Sequence, residues 1–171
     1  MSEQLVGVIP HVVMATGRIQ SKHFTLVATN QRLIITQFGA QQMQEAMAQS
    51  KARAKGLLER LAAGRVLTTK DVVEYCRKYF SMAPDSILAE SPGNFAIDLV
   101  GITRVYIDHQ VDEKDEDSSI QTDRYIMTIV SSNGENEYVI DADPQDIGIL
   151  KHVLGERLHG EGRSKPIRPP F

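Results

Sequence analysis

The stretch from Thr25 to Gln37, TLVATNQRLIITQ, constrains this chain more than any other. Two short apolar runs are broken by Thr29-Asn30-Gln31, and the basic Arg32 opens the second, which is the pattern of a β-hairpin. A hairpin of this kind needs further strands to cover its apolar face, so it commits the chain to a β-rich architecture despite a plainly helical middle. With 171 residues there is enough chain for one good core. No apolar run approaches the roughly 20 residues that cross a bilayer as a helix.

More strands flank the hairpin. His11 to Ile19 precedes it, with Gly17 marking a bulge or a close backbone approach, and the three runs together make a meander. At Gly39 the apolar period changes from two to helical. From Gln41 to Ala63, Met43, Met47, Ser50, Ala54, Leu57 and Leu61 recur at alternating spacings of four and three, as along one helical seam, and Gly64 is placed to end it. A second helix is expected from Thr68 or Thr69, with Thr68 and Asp71 at capping distance and Val72, Cys76, Tyr79 and Phe80 on one face. Pro84-Asp85 breaks this helical hairpin, and Pro92-Gly93-Asn94 makes a turn. Strands resume over Phe95 to Leu99, Ile102 to Ile107, Tyr125 to Val130 and Glu137 to Ile140, the last two joined by a Ser132-Asn133-Gly134 turn. Asp143-Pro144 opens a final helix with Ile147, Leu150, Val153, Leu154 and Leu158 as its apolar stripe, and residues 160–171 read as a flexible tail.

Without its helical middle the order is three strands, four strands and a closing helix. Leu26-Val27-Ala28-Thr29-Asn30-Gln31-Arg32-Leu33-Ile34 resembles the L-x-x-T-x-x-R-L hairpin of the bacterial pleckstrin-homology-like (PH-like) and GRAM-type domains. The Phe95 to Val105 segment and the Tyr125 to Ile140 hairpin support the likeness. The resemblance implies an α+β, mainly β fold: a PH-like seven-stranded barrel or sandwich closed by a C-terminal helix. Residues 1–39 and 90–159 would form it, and 40–89 would be an inserted helical hairpin. Because the seam of Met43, Met47, Ala54, Leu57 and Leu61 must be covered, the insertion is expected either to pack on the barrel or to bind a partner, including a second copy.

Charge is unevenly spread. The net charge is -3 and the pI near 5.9, which argues against a dedicated nucleic-acid binder. The segment from Gln41 to Phe80 is nevertheless basic, and Asp112 to Asp117 is acidic around Lys114. PH-like domains that bind phosphoinositides cluster Lys and Arg near their first two strands. Carried onto this chain, that implies anionic contacts at Arg18, Lys22 and Arg32, to which the basic arm adds Lys51, Arg53, Lys55 and Arg60.

Nothing in the chain spells out a reaction. Cys76 lies on the apolar face of a helix, as a small buried thiol does, and the five histidines have no paired metal spacing. The sequence has no phosphate-binding glycine loop and no nucleophile elbow, and Asp112 to Asp117 lacks the glycine and closing glutamate of a calcium loop. The expectation is a non-enzymatic interaction or scaffold module without cofactor, metal or small-molecule substrate, oligomeric through its helical arm, or else an adaptor at an anionic membrane surface. The opening MSEQLVGVIPH has no basic leader, and one cysteine permits no intrachain disulfide, so a cytoplasmic location is expected.

Overall fold

The structure is a computed structural model, and it describes residues 2–15, 21–54, 56, 67–110 and 123–160. It is an α+β, mainly β protein. The described residues form eight strands, β1 (Leu5–Ala15), β2 (Ser21–Thr29), β3 (Arg32–Gln37), β4 (Phe95–Asp98), β5 (Ile102–Gln110), β6 (Asp123–Ser131), β7 (Gly134–Ala142) and β8 (Leu158–Gly160). They form one sheet in the order β4-β3-β2-β1-β7-β6-β5-β8, antiparallel except where β8 runs parallel to β5. Among the described residues the α-helices are α1 (Ala40–Arg53), α2 (Thr69–Cys76), α3 (Pro84–Ala89) and α4 (Pro144–Leu154).

Two apolar clusters lie on the two faces of β1 to β3. The inner one joins Ile9, Val12, Leu26, Leu33 and Ile35 to Val105, Ile107, Met127, Ile129 and Ile140. Since β3 and β5 stand five places apart in the sheet, their shared core means the sheet curls around it. Leu150 and Leu154 of α4 belong to the same cluster. The outer cluster joins Val8, Val27 and Ile34 to Ala46, Tyr75, Cys76, Tyr79 and Ile87 from the helical segment between β3 and β4. Val27 and Ile34 thus face away from the core that their neighbours Leu26, Leu33 and Ile35 enter. This explains why the hairpin reads as nearly continuous apolar runs: both of its faces are covered.

Local chemistry sets the element ends. Thr68 and Asp71 bond reciprocally at the start of α2, and Asp143 and Asp146 do the same at α4, where Pro144 occupies the first turn. Gly155, with φ 54°, ends α4 and turns the chain into β8. Leu158 consequently packs from a strand against the inner core and not from the helical stripe assigned to it. The sequence predicts seven strands, and β8 makes an eighth among the described residues.

Three further expectations change. The first strand begins at Leu5, well before His11. The long helix expected over Gln41 to Ala63 ends at Arg53, where Ala54 turns extended two residues before Gly56; Gly64 lies outside the described residues. Pro84 does not simply break the helical region but opens α3, a position that suits a residue without an N–H. No described helix is long and apolar enough to cross a membrane.

Candidate functional site

The helices between β3 and β4 carry the candidate surface. At the start of α1, the Gly39 N–H donates to Gln42 Oε1 at 3.1 Å, so Gln42 is buried as a cap, with Ala46 one turn on as the apolar contact to the sheet. Met43 and Met47 lie on a line about a quarter turn round the helix from that buried pair. Met43 is accordingly 40% exposed, and Met47 and Ala54 are half-buried. Lys51, roughly opposite the buried pair, is exposed. Leu57 and Leu61, the other two seam residues, lie outside the described residues, as do Arg18, Lys55 and Arg60.

Polar contacts fasten α1 to α2 and its continuation. Arg53 Nη1 reaches Glu74 at 3.2 Å and Nη2 reaches Asp71 at 3.8 Å. Tyr75 donates its hydroxyl to Glu45 at 2.8 Å, which holds that carboxyl below the usual carboxylate range. Lys78 bonds the Tyr75 hydroxyl and pairs with Glu90, with its ammonium 4.0 Å from the Tyr75 ring centre. Tyr79 donates to the other Glu90 oxygen at 2.9 Å. Burial is the main reason both phenols titrate above their ordinary value. Every member of this network answers another member, which makes it a fastening and leaves no free acid or base.

Phe80 is placed where the sequence did not put it. Residues 77–81 form a tighter 3₁₀ turn, which advances each side chain by about 20° more than an α-helix would. Phe80 therefore swings off the packed face that holds Cys76 and Tyr79 and is 60% exposed. With Val73 at 38% and Met43, it is one of three exposed large apolar side chains on the insertion; Phe95 and Val100 complete the five among the described residues.

The described anionic-contact residues are divided among β2, β3 and α1. Arg32 is engaged: Nε donates to Glu3 Oε1 at 2.8 Å, Nη2 donates to Glu3 Oε2 at 2.9 Å, and Nη2 also pairs with Asp85 of α3. Its neighbour Thr29 accepts from the N–H groups of Gln31 and Arg32 at 3.1 and 2.9 Å. Asn30 Oδ1 accepts from the Gln4 N–H at 2.9 Å, so the hairpin turn holds residues 2–5. The Thr and Arg of the hairpin motif thus have structural partners in this chain. Arg53 is bound to acids of α2, while Lys22 and Lys51 remain exposed.

Cys76 is buried against Thr25 Oγ1 at 3.3 Å, and burial pushes its thiol up to about 11. At neutral pH it is a protonated thiol, the inert form. No group of three or more His, Cys, Asp or Glu among the described residues could hold a metal ion. A recess of about 280 Å³ lies between α4 and β8, with Ile107, Ile147 and Leu158 as its apolar lining and Lys151 and His159 as its polar one.

No protein-family model matches this chain, and no curated protein matches it in sequence. Among solved structures it is similar to the hSac2 domain from human phosphoinositide phosphatase Sac2, at 8% identity and a TM-score of 0.41. That similarity covers 98% of this chain and 84% of that one. At this level it carries no argument about fold or activity.

Proposed function

We propose that this protein is a non-enzymatic PH-like interaction module that assembles with a protein partner, or with itself, through the inserted helical arm. The observation that carries the reading is the concentration of exposed apolar side chains on that arm: Met43 on α1, Val73 on α2 and Phe80 just beyond it. The exposed apolar area of these side chains is area that contact with a partner would remove from water. The PH-like part of the reading is supported by the strand order β4-β3-β2-β1-β7-β6-β5 followed by α4, and by the helix's contribution to the inner core. Of the described residues assigned to the membrane-adaptor reading, Arg32 and Arg53 pair with carboxylates of this chain, and Lys22 and Lys51 are exposed.

Sedimentation equilibrium over a hundredfold concentration range tests the self-assembly form of the reading, with wild type beside Met43→Asp and Phe80→Asp. The expected result is a concentration-dependent rise in mass that both substitutions weaken while the melting temperature stays within about 2 °C, as for exposed positions. A wild type that stays monomeric, or association that both charges leave untouched, would remove self-assembly through these side chains. Salt-sensitive co-sedimentation with anionic vesicles, abolished by Lys51→Glu, would move the function to the membrane surface.

A further inference from the structure

His11 occupies the most constrained backbone position among the described residues. It is the one described residue other than glycine with a positive φ, 62°. The cause is a bulge: Ile9 pairs with Leu26 and Val12 with Phe24, so Pro10 and His11 stand opposite the single Thr25. Pro10 has no N–H to give to a ladder, and the extra residue turns the His11 side chain towards the insertion. There the ring meets the backbone carbonyl of Thr69, the first residue of α2, while its Nε2 is buried without a hydrogen-bond partner. The titratable groups that face it are Asp141 of β7, which is already paired with Arg124 at 3.1 Å, and His23 of β2.

We propose that His11 is a proton-operated latch that holds the amino end of α2 on the β1 bulge when the ring is neutral and loosens it when the ring is protonated. A second N–H on this ring has no acceptor waiting for it, and the positive end of α2 lies beside it. Asp141 offers some attraction, but Arg124 shares its charge. Burial is the largest influence on the ring and holds its pKa below the usual imidazole value, against the opposing pulls of the Thr69 carbonyl and Asp141. The sign follows from linkage. The docked ring takes up its proton at lower pH than a ring freed from this burial, so docking weakens as pH falls through the imidazole range. The latch concerns the seating of α2 and is independent of what the insertion binds.

The test is native-state hydrogen exchange of the α2 amides between pH 7.5 and 5.5, corrected for the intrinsic exchange rate at each pH. Wild type is compared with His11→Asn and His23→Asn. Asparagine tolerates a positive φ and carries no proton in this range. Wild-type α2 should lose protection as pH falls, by at most about tenfold per pH unit for one proton. His11→Asn should abolish that dependence and His23→Asn should keep it. Protection that is flat in wild type, or pH dependence surviving in His11→Asn, or lost in His23→Asn, overturns the latch. Should His11→Asn not fold, titration of the wild-type imidazole by NMR serves instead. The α2 amide shifts must follow the His11 curve, and a different midpoint refutes the proposal.

Discussion

Gly7 of β1 lies directly under Ile149 of α4. A Cβ built on it would lie 2.5, 2.8 and 2.9 Å from Cδ1, Cγ1 and Cγ2 of Ile149, where carbon atoms normally rest about 3.5–4.0 Å apart. Because Ile149 is branched at Cβ, one rotation cannot clear both of its γ carbons, so Gly7→Ala must displace α4 or force Ile149 off its rotamer. Overpacking of this kind costs about 1–3 kcal/mol. The Gly7 backbone is one that any residue can adopt, so the unfolded-state gain of about 0.4–1 kcal/mol from replacing glycine offsets part of it. The expected net loss is about 1–2 kcal/mol, or about 2–8 °C in melting temperature for a chain of this size. Thermal and urea unfolding followed by circular dichroism measure it. Ile149→Ala supplies the decisive comparison, since on that background Gly7→Ala should be neutral to within about 0.5 kcal/mol. A Gly7→Ala protein as stable as wild type, or one whose penalty persists in Ile149→Ala, would refute the close approach.

Two further predictions concern buried titrating groups. Burial pushes the Asp146 carboxyl in the first turn of α4 up to about 6. A raised carboxyl favours the protonated folded form, so its contribution to stability grows as pH falls from about 6 towards 4, and the ionised form is a cost at pH 7. Two pKa units set a ceiling near 3 kcal/mol, which partial exposure reduces to about 1 kcal/mol. Asp146→Asn, which keeps an acceptor for the Asp143 N–H, should add that amount at pH 7 and flatten urea midpoints between pH 4 and 6; an unchanged pH profile would contradict this. This trend runs opposite to that of His11, and the exchange of α2 amides separates the two. Native Cys76 should not react with a disulfide reagent at pH 8 and should react fully in urea; labelling of the native protein at the rate of a free thiol would show an open site.

Local chemistry made much of this protein legible in its sequence. The hairpin of β2 and β3, the Thr68-x-x-Asp71 and Asp143-Pro144-x-Asp146 helix starts, and the strands after residue 95 all depend on neighbours within a few residues. The continuous apolar runs of β2 and β3 even carried the information that both of their faces are covered. Tertiary placement decided the rest. Met43 and Met47 fit a helical seam by spacing, but Gln42 caps α1 and turns Ala46 to the sheet, so the seam residues sit at its side. Phe80 has the same periodicity as Cys76 until the chain tightens into a 3₁₀ turn. Arg32 reads as a basic surface residue, yet Glu3 and Asp85, distant along the chain, converge on it. Sequence pattern records which residues prefer to leave water. Only the folded chain determines which carboxylate, carbonyl or helix end stands next to them, because those partners arrive from tens of residues away.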